Sequence, residues 1–234
     1  MKLRSRQDIG TFPLNPSTYG HSHRGIPLEV WLPKDRCTLL IHAGIHGEEP
    51  ETTFALSRAL RLLPEQSPQC AVVLAANPDG LIRGTRGNAR GVDLNRNFPT
   101  RDWLPAPVKH RSTLKDPRDV VLSPGSGPGS EAETQALIGL VNELKPETVI
   151  ALHAPLACID DPKQGAVARW LAEKTGLPLV PDVGYPTPGS FGTWGGEQGI
   201  AVVTYEFPLT TTDALVRDHV PLLVELIAGE VSWS

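Results

Sequence analysis

Cysteine is scarce in this chain, with three among 234 residues. Cys37, Cys70 and Cys158 are odd in number and widely spaced, and two of them sit in apolar, strand-like runs. Buried, reduced thiols are expected rather than disulfides. None has zinc-ligand spacing, which argues against a closed structural metal site built from cysteine. No apolar stretch approaches the roughly 20 residues that a membrane-spanning helix requires. Residues 1–10 carry Lys2, Arg4, Arg6 and Asp8 and no apolar core, so no export signal is expected and the cytoplasm is the expected compartment. An excess of positive charge is missing too: 22 Lys and Arg against 26 Asp and Glu leave a net charge of −4. No global field draws the protein to nucleic acid or to an anionic membrane. Internal repeats and a domain boundary are likewise absent. The length suits a single catalytic domain over residues 1–234 better than two small domains.

What is present points to a layered enzyme. With 40% hydrophobic and 21% charged residues, the chain can bury a sizeable core. Its 23 prolines and 22 glycines predict many ordered loops, where sites tend to sit. Short β-rich apolar runs at 28–32, 38–43, 71–76, 148–152, 179–180 and 201–207 read as strands. Between them, 51–63, 130–144, 166–175 and 213–227 read as helices. Ser130 with Glu133 three residues on has the form of a capping box. Asp160-Asp161-Pro162 is a start signal for the helix over 166–175, which ends near Gly176. Strands buried on both faces with helices between them predict an α/β fold, a three-layer α/β/α domain around a mixed, largely parallel central sheet. The stretch 83–129 resists assignment. Its end, Ser123-Pro-Gly-Ser-Gly-Pro-Gly129, looks like linker, whereas its arginine-rich first half is expected to be functional. The apolar stretch 214–227 suits a core helix and a homodimer interface equally.

Three of the strands end in residues with chemistry in common. The run 38–43 leads into Gly44-Ile-His46-Gly47-Glu-Glu49, and strand ends in α/β proteins aim loop residues into the crevice where ligands bind. Imidazole nitrogen and carboxylate oxygen are both good zinc donors, and Gly44 and Gly47 let the backbone turn tightly. A His-x-x-Glu pair alone is weak, since both residue types mostly decorate solvated loops. The run 148–152, however, delivers His153 at its end. His46, Glu49 and His153 then form the two-histidine, one-carboxylate set of catalytic zinc, and one Zn2+ per chain is expected. The run 201–205 ends in Glu206, a carboxylate that is costly to bury without a partner. Its functional reading is a general base that takes a proton from the attacking water and later protonates the departing amine. The alternative is a paired glutamate near the surface.

Arg83, Arg86, Arg90 and Arg96 cluster in the segment that also holds Asn95. A nucleic-acid surface would pair such cations with interleaved aromatics and a positive total charge, and both are wanting. Clamping a carboxylate and an oxyanion suits these residues better, because the guanidinium fork matches a carboxylate bidentately.

His46-x-x-Glu49, Asn77-Pro-Asp-Gly80, Asp93-Leu-Asn-Arg-Asn-Phe98, His153 and Glu206, in that order, resemble the zinc carboxypeptidase family typified by carboxypeptidase A. The resemblance implies that family's fold and the hydrolysis of an amide bond beside a free carboxylate. It implies Asp93 as the acceptor that orients His46. It further implies Asn95 and Arg96 as the clamp on the substrate carboxylate, and Arg86 as the group that polarises the scissile carbonyl. The runs Tyr19–Gly25, Gly91–Pro99, Pro128–Leu137, Leu156–Pro162 and Val183–Trp194 are similar to a bacterial branch of the family. That branch cleaves the γ-D-glutamyl–meso-diaminopimelate bond of murein tripeptides in the cytoplasm during cell-wall recycling. Such a substrate carries a distal amine and carboxylate, and Asp160, Asp161 and Glu197 are candidates for the amine. Ala154 stands where digestive members carry Ser. Tyr185 lies near the place of their substrate-capping tyrosine, and a capping and a structural role both stand open.

Two rival readings accompany this one. N-acyl amino acid deacylases related to aspartoacylase and succinylglutamate desuccinylase share a similar His-x-x-Glu and Asp-Leu-Asn-Arg plan. The run Gly189-Ser-Phe-Gly-Thr-Trp194, followed by Glu206-Phe-Pro208, favours the peptidase branch. A zinc-binding peptide sensor without catalysis is the second rival, and the presence of Glu206 argues against it.

Overall fold

A computed structural model of the protein describes residues 9–12, 14–63, 68–111 and 119–231. The charges read above at positions 2, 4, 6 and 8 lie outside the described residues. The chain opens with an antiparallel pair, β1 (Ser17–His21) and β2 (Pro27–Val30). β2 alternates exposed and buried positions, the pattern of a strand with one face in water. The run 28–32 is therefore no strand of the central sheet. It touches that sheet through a single bridge from Trp31 to Val72.

The central sheet is built from runs buried on both faces. β3 (Leu39–His42) leads into helix α1 (Pro50–Leu62), and β4 (Ala71–Val73) into the short helix α2 (Pro78–Arg83). After a small hairpin, β5 (Val108–Arg111) with β6 (Asp119–Leu122), helix α3 (Ala132–Leu144) returns the chain to β7 (Thr148–His153). β8 (Leu156–Asp160), α4 (Ala166–Thr175), β9 (Leu179–Val180) and α5 (Phe191–Glu197) follow. β10 (Ala201–Pro208), α6 (Thr212–Asp218) and α7 (Val220–Ala228) complete the order. Among the described residues the sheet has six strands in the order β4-β3-β7-β10-β8-β9. β4, β3, β7 and β10 are mutually parallel, while β8 runs antiparallel to β10 and carries β9 parallel to itself. The sheet is mixed and largely parallel.

The period of two along each strand divides its side chains between two cores. Ile41, Val72, Ile150, Val203 and Tyr205 face α1, α4, α6 and α7. Their neighbours Leu40, Ala71, Val73, Val149 and Val202 face α3 and α5. Helices thus cover both faces in three layers. Fully buried side chains such as Leu40, Ile41 and Ile150 each contribute roughly 1.5–3 kcal/mol.

Local details depart from the sequence reading in three places. The helix over 213–227 is two helices, α6 and α7, because Pro221 cannot sit in a helix interior and instead opens α7. Leu223 and Ile227 on α7 are fully buried in the core. Ser130 and Glu133 form no capping box: α3 begins after Glu131, and no side chain caps it. Ser130 Oγ donates instead to Glu131 Oε1 at 2.8 Å, and Glu133 accepts from the Asn88 side chain and the His23 N–H. Segment 123–129 is not a linker. The Asn97 amide reaches across to donate to the carbonyls of Pro124 and Gly127 and to Ser130 Oγ, pinning it against the core.

Candidate active site

The loop after β3 is fixed by backbone packing. Gly44 holds φ +65°, and a Cβ on Gly47 would collide with the backbone of Gly80, so neither position admits a larger residue without strain. Asn77, at the head of α2, ties the same loop down. Its Nδ2 donates to the Ile45 carbonyl at 3.1 Å and to the Arg86 carbonyl at 3.4 Å, while its Oδ1 accepts the Gly80 N–H at 2.9 Å. The Asn77-Pro-Asp-Gly80 turn therefore joins the His46 loop to the Arg86 loop.

β3 and β7 are parallel neighbours, so their C-terminal ends deliver side chains to one place. His46 Nδ1 lies 2.7 Å from Glu49 Oε1, and His153 Nδ1 lies 3.2 Å from Glu49 Oε2. One donor atom from each of the three falls within 4.8 Å of the others, and all three residues are buried. Two imidazole nitrogens and a carboxylate so placed fit a zinc ion. Burial opposes ionisation of Glu49, but the two histidines outweigh it and hold its carboxyl below the ordinary range. On its far side, His46 Nε2 lies 3.3 Å from Asp93 Oδ1, at ion-pair distance without the alignment of a hydrogen bond. Asp93 has no exposed surface and also accepts from Arg86 Nε at 2.8 Å and from the Asn95 N–H at 3.0 Å.

β10 lies beside β7 with Glu206 in register with His153. Adjacent strands stand about 4.8 Å apart, which sets the Glu206 carboxylate beside the metal-type cluster. Glu206 Oε2 accepts the Leu156 N–H at 3.3 Å. Burial raises the Glu206 carboxyl above the usual range, with His153 opposing and Glu49 adding to the rise.

These groups line one cavity of about 690 Å³, together with Arg86, Asn95, Arg96, Tyr185 and Asp160. Asn95 and Arg96 stand on a single 3₁₀ turn, Leu94–Arg96. Asn95 Oδ1 accepts the Phe191 N–H at 2.8 Å, which ties this turn to the start of α5. Arg96 Nη1 donates to the Asn95 carbonyl at 2.7 Å. Arg86 Nη1 lies 3.4 Å from Glu48 Oε1 and 3.6 Å from Glu49 Oε1, so this guanidinium spans the acidic side of the site. Tyr185 lines the cavity while half-exposed.

Not every residue singled out in the sequence reaches the cavity. The arginine cluster divides: Arg83 caps the Ala89 carbonyl and Arg90 faces Glu131, both away from it. Asp161 is buried and spends its carboxylate on the N–H groups of Lys163 and Gly165, shaping the loop before α4. Glu197 accepts the Arg101 N–H on the outside of α5. Of the three residues proposed for a substrate amine, Asp160 alone lines the cavity. His110 and Glu48 were missed: His110 Nε2, carried in by β5, lies 2.7 Å from Glu48 Oε1 and lines the cavity. No local pattern announces them, because the two residues are joined only by the fold.

Known proteins resemble this chain. Residues 17–158 match the zinc carboxypeptidase family. The chain is 43% identical over 228 residues to murein peptide amidase A of Escherichia coli, a match spanning 96% of this chain and 94% of that protein. Murein peptide amidase A of Vibrio campbellii is 38% identical over 231 residues, covering 97% of this chain and 93% of the relative. The crystal structure of murein-tripeptide amidase MpaA from Escherichia coli O157 superposes with a TM-score of 0.92 at 41% identity, over 97% of this chain and 98% of its own.

Proposed function

Because this chain belongs to the zinc carboxypeptidase family and is a zinc metallopeptidase, we propose that it is a murein peptide amidase. It hydrolyses the γ-D-glutamyl–meso-diaminopimelate bond of murein tripeptides and releases diaminopimelate. The near full-length match to murein peptide amidases supports the substrate class. One observation supports the chemistry above all: the two-histidine, one-carboxylate cluster and Glu206 meet at neighbouring strand ends in a single cavity.

The roles follow from position. His46, Glu49 and His153 hold zinc, which when bound supplies Lewis-acid polarisation of the scissile carbonyl. Asp93 orients His46 through its Nε2 edge, and such outer partners fix the ring and strengthen the donor. Glu206 takes a proton from the attacking water and returns it to the leaving amine, a task suited to a carboxylate whose affinity for protons burial has raised. Arg86 stabilises negative charge developing on the carbonyl oxygen. Arg96 and Asn95 clamp the carboxylate next to the scissile amide, and Tyr185 closes over the bound peptide. We read the chain as one catalytic domain whose two cores are the two faces of one sheet. Its place is cell-wall recycling in the cytoplasm, a reading that three unpaired, buried cysteines support.

Mass spectrometry of the products from purified murein tripeptide tests this reading. The zinc-loaded protein is expected to yield diaminopimelate and the remaining dipeptide. Release of the N-terminal amino acid instead, or an intact tripeptide alongside cleavage of simple N-acyl amino acids, would overturn it.

A further inference from the structure

One wall of the cavity is formed by residues of β8 and β10. On β10, Val202, Thr204 and Glu206 point to one face by the period of two, and all three line the cavity. β8 runs antiparallel beside them, with Cys158 opposite Glu206 and Asp160 opposite Thr204. Asp160 is thus one strand over and two residues deeper than the proposed general base, about 7 Å further along the strand direction.

Asp160 has an unusual environment for an acidic residue in a cavity. Its Oδ1 is buried and meets no hydrogen-bond partner among the described residues. The Asp182 carboxylate lines the same end, with its own Oδ1 engaged by the Gly184 N–H. Burial, then the charges of Glu206, Asp182 and Asp161, push the Asp160 carboxyl up to about 6, with His153 acting in the opposite sense. The arginines lining the cavity are Arg86 and Arg96, and its histidines are 46, 110 and 153. Arg86 and Arg96 are committed to Asp93 and to the Asn95 carbonyl. The cavity is therefore cationic at its Arg86–Arg96 side and acidic at its Asp160–Asp182 end. A carboxylate that lines a cavity of this polarity and has one oxygen without a partner is complementary to a cation that a ligand brings.

We propose that Asp160 is a specificity-determining residue that receives a side-chain ammonium of the residue on the amine side of the scissile bond. The inference rests on the function proposed above and names the group that sets substrate choice there. It assigns the distal ammonium of diaminopimelate to Asp160 and leaves the distal carboxylate to other groups. A ligand lacking that ammonium leaves Asp160 unpaired and is disfavoured, since sites built to pair a polar group reject analogues without it.

The test compares two tripeptides, one ending in diaminopimelate and one in 2-aminopimelate, which keeps the distal carboxylate and lacks the distal amine. For the zinc-loaded wild type, kcat/KM is expected to favour the diaminopimelate peptide by about 10- to 100-fold, as for a charge-assisted hydrogen bond. Asp160→Asn, close to isosteric, is expected to collapse that ratio toward one. Asp160→Glu is expected to keep part of it. A ratio that survives in Asp160→Asn, or that is near one in the wild type, overturns the assignment; a purely structural role would slow both peptides and preserve the ratio. Calorimetric titration of the zinc-loaded Glu206→Gln protein, with and without Asp160→Asn, using the diaminopimelate and 2-aminopimelate tripeptides separates this from the proposed hydrolysis. A binding preference for the diaminopimelate tripeptide that is lost with Asp160→Asn upholds the role of Asp160 even if neither peptide is cut. Equal binding of the two refutes it.

Discussion

Replacing Asp93 by Asn examines the support of the metal site without touching a ligand. The carboxylate has no exposed surface and three neighbours: Arg86 Nε at 2.8 Å, the Asn95 N–H at 3.0 Å and His46 Nε2 at 3.3 Å. An asparagine fills the same space but turns one terminal atom into a donor. Whichever way the amide points, it opposes Arg86 on one side or Asn95 and His46 on the other. Two costs follow. Breaking a buried ion pair from one side costs about 3–5 kcal/mol. Arg86 keeps Glu48 at 3.4 Å and Glu49 at 3.6 Å as partial partners, so the loss should lie near the lower end, about 3 kcal/mol. The metal cost is separate: loss of an outer-shell carboxylate typically weakens binding 10- to 100-fold, or about 1.4–2.7 kcal/mol. Zinc affinity is read by competition with a chromophoric chelator at pH 7, and stability by urea unfolding of the zinc-free protein. A variant that unfolds as expected yet holds zinc within twofold of wild type would refute the orienting role of Asp93.

Further outcomes follow from other parts of the site. Chelation should remove one zinc per chain together with activity, and re-addition should restore both; elemental analysis well below one metal per active chain would contradict the His46–Glu49–His153 assignment. Arg96→Ala should lower kcat/KM by roughly one to two orders of magnitude, the worth of a buried charge-assisted bond, and most of the deficit should vanish for a peptide whose matching carboxylate is amidated. His42 is fully buried with neither ring nitrogen partnered among the described residues; burial, then the charges of His153 and His46, lower it to about 3. Its folded value lies below the unfolded value near 6.5, so its contribution is complete above that pH and is lost as pH falls toward about 3. Urea unfolding of the zinc-free protein should show about 2 kcal/mol of this loss between pH 7 and pH 5, absent in His42→Leu; identical pH slopes in the two proteins would count against it.

The sequence made the metal site legible because parallel strands buried on both faces are nearly pure apolar runs. A polar residue at the end of such a run, His153 or Glu206, stands out with no need to know the fold. What bound those ends together was long-range and largely silent. β8 follows Pro155 directly, ends in Asp160 with Asp161 next in the chain, and is not among the runs read as strands, yet it pairs with β10 and sets Asp160 into the cavity. Segment 123–129 is rich in glycine and proline and looks unstructured, because Asn97, whose side chain ties down its Pro124 and Gly127 carbonyls, is some 30 residues away. The small hairpin that carries His110 sits in the same stretch, and its meeting with Glu48 is written in neither local sequence. The break at Pro221 was legible in principle, since an interior proline ends a helix. There the apolar continuity of 214–227 masked it.

The account stands or falls most directly on Glu206→Gln, assayed on murein tripeptide with zinc content measured in the same sample. The amide keeps the shape of the side chain beside His153 but cannot accept a proton, so the variant should retain one zinc per chain while kcat falls by about 10²–10⁴-fold and KM changes little. A metal-loaded variant that turns over within a fewfold of wild type would show that Glu206 moves no proton in this reaction.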